Sequence, residues 1–124
     1  MSKILLIEDD NLLVEMYKAK FEKAGFEMVT ALDGEKGLEA ARQEKPDLIL
    51  LDMVLPQKDG YQVLEELKQD ENTKDITVII LSNLGQSAEV KKGKEGGADD
   101  YLIKANLTPG QLVEKIEKKL SEEQ

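Results

Sequence analysis

The feature that most constrains this chain is a four-residue apolar run, Leu48 to Leu51, closed on either side by Asp47 and Asp52. The run is too short for a helix and has no polar alternation, which is how a strand buried on both faces of a parallel sheet reads. It ends on a carboxylate. In open α/β sheets, ligands and chemistry lie beyond the carboxyl ends of the strands, so Asp52 is delivered to the reactive edge. A loop containing Pro56 follows. Asp59-Gly60 then opens a helix, with Asp59 as N-cap and Gln62 three residues on as the returning half of a capping box.

The rest of the chain repeats this plan. Lys3 to Ile7 is a second apolar strand, leading into Glu8-Asp9-Asp10, and Leu13, Met16, Tyr17, Phe21 and Ala24 recur at helical spacing until Gly25 stops them. Phe26 to Ala31 predicts a strand. Asp33 caps a helix carrying Leu38 and Ala41, which Lys45-Pro46 ends. After the helix with Val63, Leu64 and Leu67 comes a charged loop, Gln69 to Asp75, and then a strand, Thr77 to Leu81, running into Ser82-Asn83. Ser87 to Glu95 predicts a helix with only Ala88 and Val90 as apolar residues; with Gly93 inside it and Gly96-Gly97 after it, it is the least stable of the set. Asp99 to Ile103 is a short strand ending at Lys104. Thr108 caps the last helix, with Pro109 in its first turn, Gln111 completing a capping box, and Leu112, Ile116 and Leu120 on one face.

Five strands alternating with five helices predict an α/β fold, a five-stranded parallel sheet in a doubly wound (βα)5 arrangement with right-handed crossovers. A closed barrel needs about eight such units. At 124 residues the whole chain, 1–124, reads as one domain. Its net charge of −9, from 17 basic and 26 acidic residues, repels a phosphate backbone, so direct nucleic-acid binding is not expected. No apolar run approaches the ~20 residues of a membrane span, and no secretory signal or cysteine framework is present, which makes the cytoplasm the default location.

Four of the five strands end in Glu8-Asp9, Asp52, Ser82 and Lys104, and neighbouring strand ends in a parallel sheet lie ~4.8 Å apart. These side chains can therefore converge. Three carboxylates in that space repel one another unless some take protons or a hard cation such as Mg²⁺ neutralises them. Lys104 would add a point positive charge and Ser82 a hydroxyl, both suited to phosphoryl oxygens, with Asp52 as the nucleophile that forms an acyl phosphate. Taken singly, each has a plainer reading: Asp52 as a loop acid, Ser82 as a turn residue, Lys104 as a surface charge. Asp10 and Asp33 read as caps or solvated acids, Lys91, Lys92 and Lys94 as a solvated face, and Tyr101 as core packing.

Taken together, Ile4-Leu-Leu-Ile-Glu8-Asp9-Asp10, Asp47-Leu-Ile-Leu-Leu-Asp52-Met-Val-Leu-Pro56 with Asp59-Gly60, Ser82, and Gly97-Ala-Asp-Asp-Tyr101-Leu-Ile-Lys104 resemble the receiver domains of two-component response regulators over nearly the whole chain. The resemblance implies the flavodoxin-like strand order 2-1-3-4-5. It implies that Asp52 accepts a phosphoryl group from a histidine kinase or phosphotransfer protein, and that Asp9, Asp52 and the Val54 backbone carbonyl bind Mg²⁺, with Glu8 acting through water. Ser82 and Lys104 would hold the phosphate, and Tyr101 would follow Ser82 inward as a switch. Val54 and Leu84 flank the site. The signal would pass by contact to a protein target through the fourth helix, fifth strand and fifth helix of a monomer or phosphorylation-dependent dimer, with no output domain attached. The chain departs from the family at Ala105, where a proline with a cis bond usually follows the lysine. This predicts either a strained cis bond, costing about 3 kcal/mol without proline, or a trans bond that re-aims Lys104 and weakens phosphate capture. Two rival readings remain: a Mg²⁺-dependent phosphatase with an aspartyl nucleophile, disfavoured by Val54 where such enzymes carry a second aspartate, and a receiver-like module that works by binding alone.

Overall fold

A computed structural model describes residues 2–123. The elements run β1 (Lys3–Ile7), α1 (Asn11–Lys23), β2 (Glu27–Ala31), α2 (Gly34–Glu44), β3 (Leu48–Leu51), α3 (Gly60–Gln69), β4 (Thr77–Ser82), α4 (Ser87–Glu95), β5 (Asp100–Ile103), a 3-10 turn (Lys104–Asn106) and α5 (Pro109–Glu122). All four strand pairings are parallel, in the order β2-β1-β3-β4-β5. That is the flavodoxin-like order.

Because side chains alternate along a strand, β3 serves two cores at once. Ile49 and Leu51 pack with Leu38 and Ala41 of α2 and Val63, Leu64 and Leu67 of α3. Leu48 and Leu50 pack with Val14, Tyr17 and Phe21 of α1 and Leu112, Val113 and Ile116 of α5. All four residues of β3 are fully buried, which explains the unbroken apolar run. Each such side chain stabilises the fold by about 1.5–3 kcal/mol relative to exposure.

The predicted caps form. Asp10 accepts from the Leu12 and Leu13 N–H groups, Asp33 from Lys36, and both capping boxes, Asp59 with Gln62 and Thr108 with Gln111, close reciprocally. Gly25, at φ +98°, carries the chain out of α1 in a conformation that L side chains rarely adopt. Three strand boundaries differ by one residue from expectation. Phe26 stays outside β2 and packs edge-on against Phe21, with ring centroids 5.6 Å apart. Ser82 joins β4 because it pairs with Ile103. Asp99 precedes β5, where it brackets Val78, donating to its carbonyl at 2.8 Å and accepting its N–H at 2.9 Å. Helix α4 buries only Gly93 and its N-cap Gln86 makes no side-chain cap bond, in keeping with its weak sequence.

Gly60 seats α3 against the exit of β3. A Cβ there would lie 2.4 Å from the Asp52 carbonyl oxygen and 2.5 Å from the Met53 Cα. Backbone cannot swing aside as a side-chain tip can, so Gly60→Ala should cost about 3 kcal/mol. Urea unfolding should show a lower midpoint with an unchanged slope.

Candidate functional site

The parallel register sets Ile7 beside Leu51, Leu51 beside Ile80, and Ser82 beside Ile103, so the residues that follow these strands emerge side by side. The Asp52 N–H donates to the Ile7 carbonyl and the Glu8 N–H to that of Ala31, each at 3.0 Å, extending the ladder by one residue into the site. One carboxylate oxygen from each of Glu8, Asp9 and Asp52 then lies within 4.8 Å of the others. Glu8 and Asp52 are buried, at 2% and 6% exposure, while Asp9 faces solvent. Asp10 stays out of the cluster, because its side chain is spent on the α1 cap.

Lys104 enters from the far strand. Its Nζ pairs with Glu8 Oε1 and donates to Asp52 Oδ2 at 3.2 Å. Of the two outcomes expected from Ala105, the strained cis bond does not occur: among the described residues every peptide bond is trans, and with it Lys104 still reaches Asp52. The physical reason is local. A proline disfavours helical geometry in the residue before it, whereas alanine allows Lys104 to begin the 3-10 turn. Glu8 accepts from Lys104 directly, and its Oε2 accepts from the Asp10 N–H at 3.3 Å.

The other predicted residues surround this centre. Ser82 is fully buried, and its Oγ is engaged with the Leu84 N–H at 3.2 Å rather than with Asp52. Tyr101 is turned inward, and its hydroxyl donates to the Leu84 carbonyl. The Val54 N–H donates to Asp52 Oδ1 at 3.3 Å and its side chain is exposed. Sequence reasoning missed Lys58, which binds Glu35 of α2 and Glu66 of α3 and braces the loop after Asp52. It also missed Tyr61, whose hydroxyl donates to Glu89 Oε2 at 2.7 Å, tying α3 to α4, beneath the Lys92 ammonium 4.1 Å from its ring. These partners are too far apart in the chain for any local pattern to announce them; Lys92, read as solvated, is thus partly engaged.

Burial pushes the Glu8 carboxyl up to about 7, with the Asp52 charge adding to the rise and the Lys104 hydrogen bond opposing it. Burial alone would lower Lys104, but Glu8 and Asp52 outweigh it and the net direction is upward. For Glu8 the folded value exceeds the unfolded one, so its stabilising contribution is complete below the unfolded value of 4.5 and is lost as pH rises through about 7. The chain has no histidine to mask this window. The melting temperature of chelator-treated protein should therefore fall from about pH 5 to about pH 7.5, and Glu8→Gln should flatten the profile.

Residues 4–117 match the sequence profile of the family described as the response regulator receiver domain. The chain is 44% identical over 104 residues to the DNA-binding dual master transcriptional regulator RpaA of Synechocystis, covering 84% of this chain and 43% of that protein. It is 42% identical over 106 residues to Protein PilH of Pseudomonas aeruginosa, covering 84% of this chain and 86% of that protein. It thus spans under half the length of RpaA and of the regulators ycf27 and PhoP, which it also matches. Among solved structures, the Francisella response regulator 1452 receiver domain superposes with a TM-score of 0.90 at 28% identity, covering 100% of both chains. A response regulator of Chloroflexus aurantiacus superposes at 0.88 with 31% identity, covering 97% of this chain and 98% of that one. Both the sequence matches and the shape place this chain in the response regulator receiver domain family, the phosphoacceptor modules of two-component signalling.

Proposed function

We propose that the chain, read as a single receiver unit over 1–124, is a cytoplasmic phosphorylation switch in which Asp52 is the phosphoacceptor. The observation that carries this reading is a buried Asp52 held between two further carboxylates and the ammonium of Lys104. A carboxylate oxygen of Asp52 attacks the phosphorus of a phosphohistidine on a kinase or phosphotransfer protein. The new P–O bond forms as the P–N bond breaks, and the departing imidazole takes a proton. Lys104 and Ser82 then hold the phosphoryl oxygens.

The acidic trio suits a small hard cation bound through few protein oxygens. Asp9, Asp52 and the Val54 carbonyl would hold Mg²⁺, with Glu8 joined through water. When bound there, such an ion would supply positive charge against the phosphoryl oxygens. Lys104 must loosen its hold on Glu8 as it takes up the phosphate. The domain takes part in its own phosphorylation and dephosphorylation but is not otherwise an enzyme. No helix among the described residues is long and apolar enough to cross a membrane. Exposed Leu12, at 82%, and the half-exposed Met16 of α1 offer apolar surface suited to a protein donor.

Once phosphorylated, Asp52 draws Ser82 from the Leu84 N–H. The loop whose Leu84 carbonyl holds Tyr101 moves with it, so Tyr101 and the weakly anchored α4 shift. The surface of α4, β5 and α5 is then the one a downstream protein reads, as a monomer or as a phosphorylation-dependent dimer.

Incubation with a small acyl-phosphate donor should add one phosphoryl group to the intact mass only when Mg²⁺ is present, and Asp52→Asn should remain unmodified. An adduct persisting in that variant would overturn the assignment. Amide exchange in α4 should be faster than in β3 and should change with beryllofluoride; rates equal to those of the core and unmoved by it would remove α4 from the switch.

A further inference from the structure

We infer that Asn83 is a positioning residue for Lys104, doing through a side-chain hydrogen bond what a proline ring would otherwise do through covalent rigidity. The observation is the contact between two loops at the site edge: the Ala105 N–H donates to Asn83 Oδ1 at 3.1 Å. Only a residue other than proline has this donor. The two partners directly follow the residues that matter most there, Ser82 and Lys104. The β4–β5 register brings the two loops side by side, since Ser82 pairs with Ile103 and one step further along the row leads to Asn83 and Lys104, one residue before Ala105.

Three consequences follow from this placement. After Lys104 the chain makes a short 3-10 turn with a trans bond, in which Ala105 and Asn106 are exposed and the Leu107 N–H donates to the Lys104 carbonyl at 3.2 Å. Such a loop would let a long lysine side chain sample many positions, so a second tether has something to restrain. Asn83 supplies it from the neighbouring strand end and keeps the start of the turn against the sheet while Nζ points at Glu8 and Asp52. Asn83, Lys104 and Ala105 also line one cleft of about 290 Å³ with Leu13, Met16 and Tyr17, so the tether forms part of the wall of the cleft that Lys104 itself lines. Finally, the tether joins the Ser82 loop to the Lys104 loop, and so links the backbones that carry the two groups proposed to hold the phosphate.

The role assigned to Asn83 rests on the phosphoacceptor reading of Asp52, and the test separates the two. Asn83→Ala should speed exchange of the Ala105 amide, whereas Asn83→Asp, which keeps the acceptor, should leave it slow. Asn83→Ala should also reduce the rate of phosphorylation by a small acyl-phosphate donor about fivefold, the weight of one ordinary hydrogen bond. Its Mg²⁺ affinity, measured by calorimetry, should stay unchanged, as a general loosening of the site would not allow. An unchanged Ala105 exchange rate in Asn83→Ala overturns the tether, whether or not the protein is phosphorylated. Faster exchange with an unchanged phosphorylation rate overturns the positioning role. A wild-type chain that takes up no phosphoryl group overturns both the phosphoacceptor reading and the role derived from it, while the amide data still report whether the tether exists.

Discussion

Crowding of negative charge at one end of the sheet is the constraint on which the rest of this structure depends. Two unit charges 4.8 Å apart repel by about 3.5 kcal/mol even at an effective dielectric constant near 20, and here oxygens of three carboxylates meet within that distance, with two of the residues buried. Lys104 offsets part of this cost by binding Glu8 and Asp52 together. The raised pKa of Glu8 offsets more, because near neutral pH a fraction of that carboxyl is protonated. A site held in this state gains from any added positive charge. The same electrostatics that strain the resting protein therefore suit the site to a small hard cation.

Such a site needs a stiff frame, and the stiffness is concentrated around β3. Its four residues are buried on both faces, the loop after Asp52 is braced by Lys58 between α2 and α3, and Gly60 allows the start of α3 to sit in contact with the backbone of Asp52. The opposite edge is built differently. Helix α4 buries only Gly93, rests Val90 against the core, and is otherwise held by polar contacts, Tyr61 with Glu89 among them. Stability is thus graded across the sheet, high around Asp52 and low at α4.

Ala105 shows how one constraint can be met in two ways. A lysine at a strand end must be aimed, and a ring after it is one means. In this chain the backbone N–H that proline lacks becomes the attachment point for Asn83.

Much of this was legible in the sequence, because short-range rules set it. Leu48 to Leu51 announces a strand covered on both faces, Asp59 with Gln62 and Thr108 with Gln111 announce helix starts, and alternation of strand and helix leads to parallel pairing with all carboxyl ends on one edge. From that edge alone, Glu8, Asp9, Asp52, Ser82 and Lys104 had to be neighbours. What the sequence by itself did not decide is how those neighbours divide their bonds. Lys104 chooses Glu8 as well as Asp52, Ser82 turns to Leu84, and Asn83 captures Ala105. These choices depend on distances of a few ångströms between residues that are 2 to 96 positions apart in the chain, and only the packed tertiary structure fixes distances on that scale, because hydrogen bonds and ion pairs fail with small errors in placement whereas hydrophobic periodicity does not.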